Sequence, residues 1–209
     1  MANDDQVAAR GGLRPSMQPY GTFKRSYYKL TTSATIGVLV GQPMDLDGNG
    51  NCTAMSVGTG LSVLSVGPAI GFSRDSRGQM GLPDAMSLIT QTGYLPANND
   101  AYVCIADDPM QEFIIQEMSS GTGLTTANIG NTTGFMVNRT TSGSTITGSS
   151  HWELDPNTVS ATTVGCIRIV GLADNMNSDG TYNTVGAYAK WRVRICNHRM
   201  LGPQTAGQQ

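Results

Sequence analysis

The sequence predicts an all-β protein, a sandwich or barrel, preceded by an extended N-terminal arm and divisible near residue 110 into two small β subdomains. Three observations predict it. Of 209 residues 26 are glycine, and only 13% are charged against roughly 25% in typical domains, which excludes a framework of Ala/Leu/Glu/Lys helices. Short β-branched and aromatic pieces alternate with Gly, Asn, Asp and Ser clusters. The closing piece, residues 187–196, alternates cations with apolar residues.

Residues 1–26 form the arm. RGGLRP and MQPYGTFKRS carry Gly and Pro punctuation and no apolar period of 3.6 or 2, so the segment reads as extended chain, with Tyr20 and Phe23 able to dock into a groove. The first subdomain, 27–110, holds the strand candidates YYKLTTSATIGVLV (27–40), CTAMSVG (52–58), LSVLSVGPAIGF (61–72) and AYVCIA (101–106). LPDAMSLIT (82–90) is the one local helix signal, with Asp84 placed as an N-cap. The second subdomain, 111–199, continues with EFIIQEM (112–118), GFMVNRT (134–140), STITGSSHWEL (144–154), GCIRIVGL (165–172) and AYAKWRVRIC (187–196). A tail follows at 200–209. No repeat of 20 to 50 residues recurs. Strands 165–172 and 187–196 are expected to pair antiparallel, with Asp179-Gly180 between them a hairpin-turn signal.

Register is readable in the last strand. Successive side chains point to opposite faces, so Lys190, Arg192 and Arg194 line one face while Trp191, Val193 and Ile195 line the core, and a one-residue slip would bury three cations.

Charge is polarised along the chain. Residues 1–29 carry five cations against two acids, residues 190–209 carry four cations and no acid, and the stretch between carries four cations against thirteen acids. Basic ends on an acidic body suit an oriented contact with an acidic protein surface or with another copy of the chain. Nucleic acid is not expected as a partner, because no aromatic stacking series is interleaved with the cations. No apolar stretch approaches the ~18 residues that span a bilayer, and the polar start MANDDQVAARGG lacks the pattern of a secretory signal, so no membrane association or export is expected. The acceptor patterns at Asn51, Asn131 and Asn138 should accordingly stay unglycosylated.

No constellation points to catalysis or to a cofactor. Cys52, Cys104, Cys166 and Cys196 are widely separated, as expected of free, mostly buried thiols. DLDGNGN (45–51) opens like an EF-hand loop, with Asp45, Asp47, Asn49 and Asn51 alternating, but the twelfth position is Ser56 where a bidentate acid belongs. A turn between strands accounts for the same residues, and a weak calcium site is the alternative. Asp107, Asp108 and Glu112 form an acidic spot, but adjacent carboxylates on extended chain point to opposite sides, and Asp-Pro initiates turns. His151 and His198 lack companions at ligand spacing, and His198 reads as a structural imidazole. A hydrolase built on His151, Glu153 and Asp155 has no nucleophile motif behind it. A carbohydrate-binding sandwich used for adhesion would need an exposed aromatic platform, whereas Trp152 and Trp191 read as core.

The tracts VCIADDPMQEFIIQ (103–116), ANIGNTTG (127–134), TGSSHWELD (147–155), IRIVGL (167–172) and KWRVRICNH (190–198), with YYKLTTSATIGVLVGQPM (27–44) fitting more loosely, resemble virion structural proteins of tailed bacteriophages, most closely capsid decoration or cement proteins. The resemblance implies a β-rich protein made in the host cytoplasm and carried on the outside of an icosahedral shell. It would bind the major capsid protein, commonly as a trimer, without enzyme activity or cofactor; a fibre base or tail-tube element is the neighbouring alternative. Charge, arm character and strand alternation then select the contact residues. Arg10, Arg14, Tyr20, Phe23, Lys24 and Arg25 form an arm contact, and Lys190, Arg192 and Arg194 form a second, electrostatic one.

Overall fold

The computed structural model describes residues 12–16, 24–30, 37–55, 65–73, 94–95, 101–118, 123–133, 137–143, 150–161, 165–174 and 180–201. Fourteen β-strands and two short 3-10 helices make up the regular structure among them. The class is all-β, as the turn-punctuated sequence predicts. The helix expected at 82–90 lies outside the described residues.

Two five-stranded antiparallel sheets dominate. In chain order the strands are β1 (Arg14–Pro15), β2 (Ser26–Lys29), β3 (Val38–Leu39), β4 (Pro43–Leu46), β5 (Cys52–Ala54), β6 (Gly67–Ser73) and β7 (Tyr94–Leu95). They continue with β8 (Tyr102–Ile105), β9 (Glu112–Gln116), β10 (Thr132–Thr133), β11 (Val137–Gly143), β12 (Ser150–Glu153), β13 (Ile167–Leu172) and β14 (Lys190–Ile195). One sheet has the order β2-β8-β6-β4-β5, the other β1-β9-β14-β13-β10, and β3–β7 and β11–β12 are separate pairs. In the first sheet the edge strands meet again, because Leu30 forms a parallel bridge with Cys52; the sheet curls on itself and shields its edges, which removes a template for unwanted pairing.

The second sheet shows why its sequence must fold in one register. In β14 the burial alternates strictly, Trp191, Val193 and Ile195 inward and Lys190, Arg192 and Arg194 outward. β13 follows the same period with Ile167 and Ile169 inward. Inner rows then stack across strands: Phe113 beside Val193 beside Ile169, and Ile115 beside Trp191 beside Leu172. Phe113, Val193, Ile169, Ile115 and Trp191 are fully buried, and each such side chain contributes roughly 1.5–3 kcal/mol relative to exposure. A slip would replace that with buried cations. Leu13, Trp152, Leu154, Leu124 and Cys166 close this core, together with Met55 and Ala106 from the segments that follow β5 and β8. Leu30, Val38, Met44, Phe72, Leu95, Val103 and Ile105 form the core of the first sheet.

The described part of the N-terminal segment is laced into the body. Arg14 and Pro15 add to the edge of β9 opposite Ile114 and Phe113. Leu13 is fully buried, and its N–H donates to the Gly41 carbonyl. Ser16 N–H donates to the Glu112 carbonyl at 2.8 Å.

The link between β13 and β14 is closed in part by a side chain. Residues 173–189 separate the strands, and Asn183 spans the gap: its Nδ2 donates to the carbonyls of Ala173 and Lys190, and its Oδ1 accepts from Lys190 N–H. The antiparallel pairing is as expected, but a buried Asn side chain carries the closure. Gly180 has positive φ as a turn glycine should; Asp179 lies outside the described residues.

After β14 the chain crosses to the first sheet. Ser65 N–H donates to Asn197 O and Arg199 N–H donates to Ser65 O. The Arg199 guanidinium donates to both carboxylate oxygens of Asp45, at 2.9 and 2.7 Å, and to the Leu46 carbonyl at 2.7 Å. A bidentate guanidinium–carboxylate pair is among the strong, directional contacts, and here it ties residues 154 positions apart.

Candidate partner-binding face

The outward face of the second sheet gathers four of the nine contact residues read from the sequence. Antiparallel partners share a face, so the register assembles two rows. In one, Arg14 lies opposite Ile114, which lies opposite Arg192, which faces Gly171. In the next, Glu112 lies opposite Arg194, which lies opposite Arg168, which faces Thr132. Lys190 extends the array opposite Gln116. Arg14, which the sequence assigns to the arm, thus joins the β14 cations. Lys24 and Arg25 are exposed but lead into β2 in the other sheet; Arg10, Tyr20 and Phe23 lie outside the described residues.

Two residues of this face were not singled out as contacts by sequence reasoning. Arg168 was hidden because IRIVGL carries a single cation, although pairing Ile167 with Ile195 places Arg168 directly against Arg194. Glu112 had been grouped with Asp107 and Asp108 by adjacency. In the fold β9 carries it away from them to β14, where its carboxylate sits 3.7 Å from Arg192 and 3.5 Å from Arg194. The face therefore presents five cations, Arg14, Arg168, Lys190, Arg192 and Arg194, against one carboxylate among the described residues. A bulge between Ile169 and Gly171 brings the glycine opposite Arg192; a Cβ there would stand 3.1 Å from the Arg192 Nη2, so the absent side chain makes room for the guanidinium.

The other candidates resolve into structural roles. In DLDGNGN the Asp47 Oδ1 accepts from the N–H groups of Asn49 and Asn51, and Oδ2 accepts from Asn51 Nδ2, while Asp45 is held by Arg199. This is an Asx-stabilised turn between β4 and β5. Asp108 accepts from Met110 N–H in the turn after β8. Its neighbour Asp107 is buried and accepts from the Tyr28 hydroxyl at 2.8 Å. Asp155 caps the 3-10 helix Pro156–Thr158 by accepting from Asn157 N–H, so one of the two carboxylates of the hydrolase reading is engaged by the backbone, while the other, Glu153, is buried. Trp152 and Trp191 are both in the core, which leaves no exposed tryptophan platform for sugar stacking. All four cysteines are free, three of them buried, and burial pushes the Cys52 thiol up to about 12.

Two buried ionisable groups set opposing pH responses. His198 is buried, and its Nδ1 accepts from Met200 N–H. Desolvation holds its pKa below the ordinary imidazole value, partly offset by Asp107 and Asp108 and reinforced by Lys24. The unfolded chain therefore takes up a proton that the folded one refuses, and stability falls as the pH drops through the ordinary value of 6.5. Glu117 is also buried, and desolvation raises its carboxyl pKa. Its contribution is complete below the ordinary value of 4.5 and is lost as pH rises through the elevated folded value. In a His198→Asn protein, whose amide oxygen can still accept from Met200, urea unfolding should show a shallower loss of stability between about pH 7 and 5. An unchanged slope would remove His198 from this account.

Comparison with protein-family models, with curated proteins and with solved structures returned no match.

Proposed function

We propose that the protein is a non-catalytic virion component, a capsid decoration protein that attaches to an acidic surface of the major capsid protein and stabilises the lattice. The observation that carries the reading is the cationic outer face of the β1-β9-β14-β13 array, whose other side packs on the apolar core. Tracts 103–116, 127–134, 147–155, 167–172 and 190–198, with their likeness to phage decoration proteins, support the same assignment. A clamp that binds the assembled lattice but not the free subunits stabilises that lattice by linkage, and repeated copies in an oligomer multiply the effect, because each further attachment is effectively intramolecular.

The experiment is rebinding to shells stripped of this protein, followed by sedimentation. Substituting Lys190, Arg192 and Arg194 together with Gln should weaken rebinding about tenfold, since exposed charge contacts contribute roughly 0.2–1 kcal/mol each. It should also flatten the loss of binding between low ionic strength and ~0.15 M salt. Full occupancy by the triple variant at every salt concentration would refute attachment through this face.

A further inference from the structure

Arg168 and Arg194 stand directly opposite each other on neighbouring antiparallel strands. Like charges in that relation are destabilising, with Cβ atoms ~4.5–5.5 Å apart. Arg168 makes a side-chain hydrogen bond to Cys196, just past the end of β14, and the charge of Arg194 acts on the same thiol. The one carboxylate on the face, Glu112, is shared between Arg192 and Arg194 at 3.5–3.7 Å. These are long contacts compared with the 2.7–2.9 Å of a close charge-assisted hydrogen bond. Among the described residues the Nε atoms of Arg168, Arg192 and Arg194 are buried without a hydrogen-bond partner. Beside them, Ile114 is a half-buried apolar residue flanked by Arg14 and Arg192. An apolar centre with arginines around it is the pattern of a protein contact with a few dominant anchors.

We propose that this face docks a carboxylate-rich protein segment on the arginines around Ile114, with the Arg168–Arg194 pair as its strongest cationic element and Glu112 as the internal carboxylate that the incoming acids displace. The inference rests on the attachment reading only for the partner's place in a shell; the chemistry of the partner comes from the face itself. A compact acidic patch matches five cations confined to β13, β14 and the short edge strand β1. A long phosphate polymer would run off the face onto the rest of a chain that, Arg168 and Glu112 aside, carries twelve acids against three cations over residues 30–189, where it would be repelled.

The test is binding of the full chain to a labelled oligo-glutamate peptide and, separately, to a labelled oligo-thymidylate, by fluorescence anisotropy at low salt. The peptide should bind and be released at ~0.15 M salt. Arg168→Gln should weaken it about threefold, and Arg168→Lys should restore part of the loss. Glu112→Gln should tighten it, because a competing carboxylate is gone. Circular dichroism of each variant establishes that it folds as the parent does. Equal or tighter binding of the oligonucleotide would overturn the proposal in favour of a nucleic-acid partner. No peptide binding, or weaker binding by the Glu112→Gln protein, would overturn it outright. If the peptide binds as described while the chain fails to rebind stripped shells, the capsid reading falls and the acidic-partner inference stands.

Discussion

A Trp191→Ala protein is expected to lose about 3–5 kcal/mol of stability, the cost of removing a large aromatic side chain from a packed core. Trp191 is fully buried near the start of β14, between Ile115 and Leu172 on the neighbouring strands, and its Nε1 donates to Glu117 Oε2 at 2.7 Å. The second Glu117 oxygen accepts from Leu124 N–H at 2.9 Å. Truncation therefore leaves both a cavity and a buried carboxyl deprived of one donor. Trp191→Phe separates the two effects: it keeps much of the apolar volume, removes the donor, and should cost about 1–3 kcal/mol from the unsatisfied acceptor. Urea unfolding followed by far-ultraviolet circular dichroism reads both. A loss below 1 kcal/mol in the alanine variant would mean that this sheet is not the organising core. Because the cations alternate with Trp191 along one strand, the same variant should also lose the outward array, and with it shell rebinding.

The second large effect is expected at Gly67. This residue opens β6 opposite Met44 of β4, with φ of 138°, a conformation that L side chains rarely adopt. A Cβ added there would collide with the Ala106 carbonyl, at the point where the chain leaves β8. Backbone strain of this kind costs of order 1–3 kcal/mol, and the collision adds to it because backbone on both sides is held by the sheet. Gly67→Ala should therefore lose about 3 kcal/mol or more in the same unfolding measurement. Gly48→Ala, where a Cβ meets open space, serves as the control and should stay within about 0.5 kcal/mol of the parent. Equal stability of the two variants would contradict the close approach of β6 to the end of β8.

How much of this was legible in the residues depended on length and alternation. β14 announces itself, because three cations alternating with Trp, Val and Ile leave one workable register. Its pairing with β13 follows from the matching period of IRIVGL. Val38–Leu39 falls within the strand candidate 27–40, but the two-residue strands Tyr94–Leu95 and Thr132–Thr133 are too short for a period of two to show, and only their partners define them. β1 was obscured by Pro15, which reads as punctuation for an arm; burial of Leu13 and the edge of β9 draw it into the sheet. Asp179-Gly180 is a turn signal by local chemistry, and Gly180 has the positive φ of one, whereas the three side-chain hydrogen bonds by which Asn183 ties Ala173 to Lys190 are encoded by no local signal. The candidate face was half readable. Lys190, Arg192 and Arg194 came from one strand, but Arg14, Arg168 and Glu112 joined them through pairing between strands that are far apart in sequence.

The function we propose is attachment, through charge and shape, to a lattice of other subunits. It is tested most directly by counting copies of the chain in purified particles by quantitative mass spectrometry. Attachment to the shell predicts a copy number comparable with that of the major capsid protein, and release of the chain as salt is raised. Absence from mature particles, or only a few copies retained at every salt concentration, would contradict it.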